Sequence, residues 1–218
     1  PDTAYYYEVE HQGVETFPAA SFRTLPPPGV EFAAIALGDS GMYDSPGQAA
    51  VAAAMGGVRA PLLLHMGDIA TPAGLPDLYQ DLFFAMYADL LASACVYPAL
   101  GNHDCLLPSI TQYWLDVFHT PAANPSADET YYSFDAGDAH FAVLNSCAGA
   151  AGWAAQLAWL DADLAAASRT WTIVYCHHPP YASGNHGGSL AIRAGLCPIV
   201  ERRGVDLVLS GHEHLYER

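Results

Sequence analysis

The sequence predicts an α/β fold of largely parallel strands with helices on both faces, and three observations predict it. Short apolar runs alternate with stretches of helical length, as strand–helix–strand units require. Five of those runs stop in a tight polar turn, the position where sheets of this class carry their working groups. A Pro26-Pro27-Pro28-Gly29 break separates this alternation from what precedes it.

Before the break, residues 4–25 alternate in the manner of strands, with Tyr5, Tyr7 and Val9 on one face and Phe17 and Phe22 recurring later. That is too little to fold alone, so a domain boundary is expected near residue 28. Beyond it, residues 33–37 read as a buried strand ending in Gly38-Asp39, followed by a helix over 46–57. A second strand over 62–66 ends in Gly67-Asp68 and leads to a helix over 75–93. Residues 96–100 end in Gly101-Asn102-His103-Asp104, before a helix over 109–118. Residues 131–135 and 140–144, joined by Ala136-Gly137-Asp138-Ala139, predict a hairpin, the exception to the parallel pattern. A helix over 153–168 leads to a strand over 172–176 that ends in His177-His178. A helix over 188–203 leads to a strand over 205–209 that ends in Gly211-His212-Glu213-His214.

Composition narrows the partners. All seven basic residues among the 218 are arginine, and against 23 acids they leave a formal charge of -16. Phosphate backbones are bound by basic surfaces, so nucleic acid is not expected as the main partner, whereas bound cations would neutralise part of the excess. The five cysteines have no CxxC spacing, which excludes a thioredoxin motif and an ordinary structural zinc site. Cys95 and Cys105 flank one strand and are too far apart to pair; Cys105, Cys147 and Cys197 are better placed for a disulfide in an exported protein. No run is long enough to span a membrane. The chain starts without methionine and stops directly after a motif, so it reads as part of something longer.

A single Gly-Asp after a strand is ordinarily a turn. Gly-Asp, Gly-Asp, Gly-Asn-His-Asp, His-His-Pro and Gly-His-Glu-His in succession, each at the end of an apolar run, deliver carboxylates, an amide and imidazoles to one edge. Carboxylates suit hard cations, imidazoles suit transition metals, and one carboxylate can bridge two ions about 3.5–4 Å apart. These residues therefore point to a metal site.

The pattern resembles that of the calcineurin-like metallophosphoesterases, and within them the purple acid phosphatase-like branch. The family's GDxG, GDxxY, GNH[DE], HxP and GHxH are matched by Gly38-Asp39-Ser40-Gly41, Gly67-Asp68-Ile69-Ala70-Thr71, Gly101-Asn102-His103-Asp104, His177-His178-Pro179 and Gly211-His212-Glu213-His214. The resemblance implies a four-layer α/β-β/α sandwich with mixed sheets over residues 29–218. It also implies that residues 1–28 are the final strands of a fibronectin-like β domain plus a linker. By position, Asp39, Asp68 and His214 would hold one metal ion and Asp68, Asn102, His177 and His212 the other. His103 would protonate the leaving oxygen, with Asp104 orienting it, and Asn102 and His186 would meet the substrate. His178 is expected to support the ligands from behind, and His11, His65, His119 and His140 to be structural.

One departure bears on the metal. Thr71 stands where the purple enzymes have a tyrosine, and a phenolate both stabilises Fe(III) and produces the colour. The expected cofactors are two ions drawn from Fe, Zn or Mn, with Fe(III) disfavoured unless Tyr43 substitutes. The implied activity is hydrolysis of a phosphorylated small molecule, as an acid phosphatase-like phosphomonoesterase in a secreted or periplasmic setting. A phosphodiesterase or nucleotide pyrophosphatase on the same site, or a non-catalytic metal- and phosphate-binding module, are the competing readings.

Overall fold

Leu62–His65 (β4) is buried along its whole length, which a strand achieves only when both faces of its sheet are covered. In the computed structural model, which describes residues 2–12, 14–42, 45–122 and 124–218 and the backbone alone of 11 and 14–18, those covers are a second sheet and a layer of helices. β4 lies between Ala34–Leu37 (β3) and Cys95–Pro98 (β5) in a parallel sheet of three strands. The second sheet has the order Tyr132–Ala136 (β6), Ala139–Leu144 (β7), Trp171–Cys176 (β8) and Leu207–Ser210 (β9). β6 and β7 form the antiparallel hairpin expected from the sequence, while β7, β8 and β9 run parallel. Among the described residues, only this second sheet is mixed.

Side-chain alternation along the strands creates three apolar layers. Leu62, Leu64 and Met66 face the second sheet, where they meet Tyr132, Phe141, Val143 and Tyr175. Leu63 points the other way, into a layer with Tyr79, Phe83, Tyr87 and Trp114 from the helices. On the far side of the second sheet, Ala142, Leu144 and Val174 pack against Leu160, Leu164 and Leu196. The order helix, sheet, sheet, helix is thus set by which residues of each strand are apolar.

The helices begin where the local chemistry favours it. Pro46–Met55 (α1) starts after Ser45, whose side chain accepts the Gln48 N–H, a standard N-cap. Pro108–Val117 (α4) and Ala150–Ala166 (α5) follow the expected segments. Leu190–Arg203 (α6) is capped by Ser189 and ends at Gly204 in the left-handed region. The single helix expected over 75–93 is corrected: the chain forms Pro76–Tyr79 (α2), a π-turn over Gln80–Phe84 and Ala88–Leu91 (α3). The wider turn lets the adjacent residues Leu82 and Phe83 both be buried, with Phe83 against the rings of His65, Tyr87 and Phe118.

Ala4–His11 (β1) and Val14–Arg23 (β2) pair antiparallel, with Phe22 between Tyr5 and Tyr7. A two-stranded sheet is marginal by itself, and this one leans on the rest: Tyr7 OH donates to Ala92 O at 2.8 Å. The proline-rich segment is pinned to the β6–β7 turn, Gly137 N–H donating to Pro26 O at 2.9 Å and Gly29 N–H to Asp138 Oδ1 at 3.0 Å. All five cysteines are free thiols, so no disulfide joins Cys105, Cys147 or Cys197.

His140 on β7 is a satisfied histidine, as the sequence suggests. Its Nδ1 meets Asp135 Oδ1 at 2.7 Å and its Nε2 meets Asp163 Oδ2 of α5 at 2.8 Å. Carboxylates only accept, so both ring nitrogens carry protons and the ring is cationic. Burial pulls its pKa down, but the bonds it donates to Asp163 and Asp135 outweigh burial and the net shift is upward. A raised histidine pKa stabilises fully below the ordinary value of about 6.5 and ceases to do so as pH rises through the folded value. Thermal unfolding from pH ~6 upward should therefore show a falling Tm, part of which disappears in His140→Gln; at pH ~6 that variant should lose about 1–3 kcal/mol. Identical pH slopes in the two proteins would show that the His140 clamp carries no charge.

Candidate metal centre

The turns that follow β3, β4, β5, β8 and β9 meet at one end of the sandwich, across the gap between the sheets. Backbone bonds tie them together: Asp39 N–H donates to Gly67 O and Gly211 N–H to His177 O, both at 3.0 Å. Asp39, Asp68 and His212 stand at φ of +54°, +53° and +70°, a region that residues with a Cβ mostly avoid and that gathers at functional sites. Gly101 and Gly211 give neighbouring carboxylates their space. A Cβ on Gly101 would lie 2.1 Å from both the nitrogen and Oδ1 of Asp68, and one on Gly211 2.6 Å from Asp39 Oδ2.

Around His177 the donor atoms converge. Its Nδ1–H donates to Met66 O at 2.8 Å, because a carbonyl can only accept, so whenever the ring is neutral its lone pair is at Nε2. That nitrogen lies 3.0 Å from Asn102 Oδ1, 3.2 Å from His212 Nδ1 and 3.3 Å from Asp68 Oδ2. Four lone-pair donors facing one another need a proton or a cation between them. Tetrahedral bonds of about 2.0–2.1 Å place ligand atoms roughly 3.3 Å apart, which matches the observed spacing. Beside them, Asp39 Oδ2 accepts the His212 N–H at 2.8 Å, and Asp39 Oδ1 is buried with no hydrogen-bond partner among the described residues, 3.5 Å from His214 Nε2. Asp39, Asp68 and His177 form one group able to hold an ion, and His177, His178 and His212 form another. An orphaned buried carboxylate oxygen next to a mixed oxygen and nitrogen donor set fits a pair of cations.

The electrostatics express the same crowding. Burial raises the Asp39 pKa, with His177 opposing and Asp68 adding to the rise. Burial would raise Asp68 as well, but the His177 imidazole beside it and the His103 N–H bond hold it below the usual range. Burial lowers His177, and Asp68 and Asp39 reverse this to a net rise. Burial and the neighbouring imidazoles push His178 down to about 4, so its ring is neutral and offers a lone pair at neutral pH.

The two residues after Asn102 part company. His103 turns outward: its N–H donates to Asp68 Oδ1 at 2.8 Å, its Nδ1–H to Pro72 O at 2.8 Å, and its Nε2 stands 3.9 Å from Asp68 Oδ2. Asp104 turns inward and is fully buried. It accepts the N–H groups of Gly101 and Ile69 and the hydroxyl of Tyr79 at 3.0, 3.3 and 3.1 Å. The expectation that Asp104 orients His103 is therefore corrected: Pro72 O holds that ring, and Asp104 fixes the turn from below. Burial, reinforced by the Asp68 charge, pushes Asp104 up to about 6.

His186 stands at the rim, its ring 4.6 Å from that of His212 and its Nδ1 3.6 Å from Glu213 Oε2. Glu213 has no role in the motif pattern, yet its side chain is largely covered and accepts the Gly187 N–H at 2.6 Å, holding the His186 loop to the last strand. Its position between the two histidines of Gly-His-Glu-His was the available signal. His178 is anchored by Ser146, which receives its N–H at 3.0 Å and meets its Nδ1 at 2.8 Å. His65 is structural as expected, its Nε2 on Ser40 Oγ and its Nδ1 accepting the Gly67 N–H, so it braces both aspartate turns. Thr71 pairs through its backbone with the chain at Gly41 and Met42. Tyr43, the possible phenolate substitute, lies outside the described residues.

Comparison with known proteins bears on this arrangement. Residues 35–216 match the model of the calcineurin-like phosphoesterase family. Over its whole length the chain is 30% identical to purple acid phosphatase 22 of Arabidopsis thaliana, of which it covers 51%, and 27% identical to purple acid phosphatase 1 of Ipomoea batatas, of which it covers 49%. The chain thus spans about half the length of these curated relatives. A purple acid phosphatase from yellow lupin (Lupinus luteus) seeds superposes on 92% of the chain with a TM-score of 0.74 at 19% identity, 41% of that chain being covered.

If Asp68 is a shared ligand of two ions, Asp68→Ala should lose most of its bound metal. His103→Ala, which removes no donor atom from either group, should keep metal near the wild-type level. Elemental analysis after equilibration with excess ion and desalting checks this, and equal loss in the two variants would make His103 a ligand.

Proposed function

The chain belongs to the calcineurin-like phosphoesterase family, and on that premise we propose that it is a metal-dependent phosphoester hydrolase, an acid phosphatase-like phosphomonoesterase with a two-cation centre. The observation that carries this reading is the set of donor atoms at 3.0–3.3 Å around His177 Nε2, with the unpartnered Asp39 Oδ1 beside them. Asp39, Asp68 and His214 are assigned to one ion and Asp68, Asn102, His177 and His212 to the other. When bound, the cations would supply charge to the phosphoryl oxygens and lower the pKa of the attacking water.

The chain's own residues supply the rest. Asn102 turns its amide oxygen toward His177, which leaves its NH2 group to donate to a phosphoryl oxygen. His103 has its Nδ1–H engaged on Pro72 O, so the proton to be delivered to the leaving alkoxide resides on Nε2, the nitrogen on the Asp68 side. His186, half-exposed at the rim and steadied by Glu213, is placed to meet the phosphate as it enters. The formal charge of -16 supports a small phosphorylated substrate over a nucleic acid. Thr71 supports a pair of divalent ions, Zn, Mn or Fe(II), because a threonine hydroxyl holds its proton far more tightly than a phenol. Residues 1–28 are read as the closing strands of a preceding fibronectin-like unit, a reading supported by the antiparallel β1–β2 pair.

The protein loaded in turn with Zn, Mn and Fe should hydrolyse an aryl phosphate, remain colourless, and lose roughly 10²–10⁴-fold in kcat on His103→Ala. Hydrolysis with none of the three ions would favour the non-catalytic binding module. A visible charge-transfer band in the iron-loaded protein would overturn the divalent assignment.

A further inference from the structure

Cys105 and Cys147 take no part in the reaction proposed above, yet they meet directly beneath it. Cys105 follows Asp104, and its Sγ donates to Gly101 O at 3.1 Å. Cys147 comes from the turn between β7 and α5, and its Sγ lies 3.9 Å from Leu100 O. Two thiols from distant parts of the sequence thus reach the carbonyls of consecutive residues, Gly101 and Leu100. Both are half-buried.

We propose that Cys105 and Cys147 are a modification site, a reversible thiol–disulfide pair that staples the Asn102-His103-Asp104 turn to the β7–α5 turn. Sulfurs held on the carbonyls of consecutive residues would come to the ~2.05 Å of a disulfide by side-chain rotation. Each thiol gives up its hydrogen, the Sγ–Sγ bond forms, and two electrons with two protons pass to an external oxidant. A peroxide leaves as two waters, and a low-molecular-weight disulfide leaves as two thiols. The staple connects the turn that carries Asn102 and His103 to the one whose Ser146 anchors His178. Closing a loop of ~40 residues restricts the unfolded chain, so the oxidised protein should melt on the order of 10 °C higher.

The test treats the purified full chain with oxidised glutathione or a small excess of hydrogen peroxide, followed by intact mass, non-reducing peptide mapping and thermal unfolding. Expected are a loss of about 2 Da reversed by dithiothreitol, a peptide pair joining Cys105 to Cys147, and the rise in Tm. Cys105→Ser and Cys147→Ser should each abolish the cross-link. A map joining Cys176 to Cys197 instead, added oxygens or a lasting glutathione adduct on Cys105 without a cross-link, or the 2 Da loss persisting in both variants would overturn the proposal. The wild-type map decides the matter even if a serine variant fails to fold.

Discussion

The Asp68 carboxylate packs directly on Gly101, so closely that a first side-chain carbon there would lie 2.1 Å from Oδ1, and it accepts the His103 N–H at 2.8 Å. Much of the centre follows from that approach. It requires glycine at 101 and places Asp68 in the left-handed region, and it joins the ends of β4 and β5. The parallel register, with Leu64 beside Tyr97 and His65 beside Pro98, delivers the two turns at the same height. Because β4 is central in its sheet and buried on both faces, that height is set by the core and not by the loops.

The second sheet brings its histidines to the same point through polar contacts placed within an apolar interface. Tyr132 and Tyr175 donate to Pro98 O and Tyr97 O at 2.9 Å, and His177 donates to Met66 O. Each fixes β6 or β8 against the ends of β4 and β5. The assembled site then carries costs that folding alone would not select: Asp39, Asp68 and His212 at positive φ, a buried carboxylate oxygen with no partner among the described residues, and imidazoles pressed together. Strain and unsatisfied polarity of this kind persist where a ligand relieves them. Cations between Asp39, Asp68 and His177 would do so, and would also offset part of an acidic chain's charge.

The strands, the hairpin and the five turns were legible in the sequence because apolar runs ending in glycine and a polar residue carry their meaning locally. The face-to-face arrangement of the sheets was not legible from alternation alone; it depends on Tyr132, Phe141 and Tyr175 matching Leu62, Leu64 and Met66 across a gap that no local signal reports. The π-turn at Gln80–Phe84 answers to packing on His65 and Phe118, which lie far away in sequence. At the site, adjacency misled for Asp104: neighbours in a turn point in opposite directions, and His103 is held by a backbone carbonyl that has no residue signature. Glu213 and Ser146 escaped for a related reason, since each matters only through the loop it fastens.

The central claim is that one carboxylate, Asp68, is shared by two cations, and anomalous diffraction from crystals equilibrated with manganese or zinc tests it most directly. Two peaks should appear about 3.5–4 Å apart, one within bonding distance of Asp39 and His214, the other of Asn102, His177 and His212, with Asp68 touching both. A single peak held by His177, His178 and His212, with Asp39 and Asp68 left outside its coordination sphere, would contradict it.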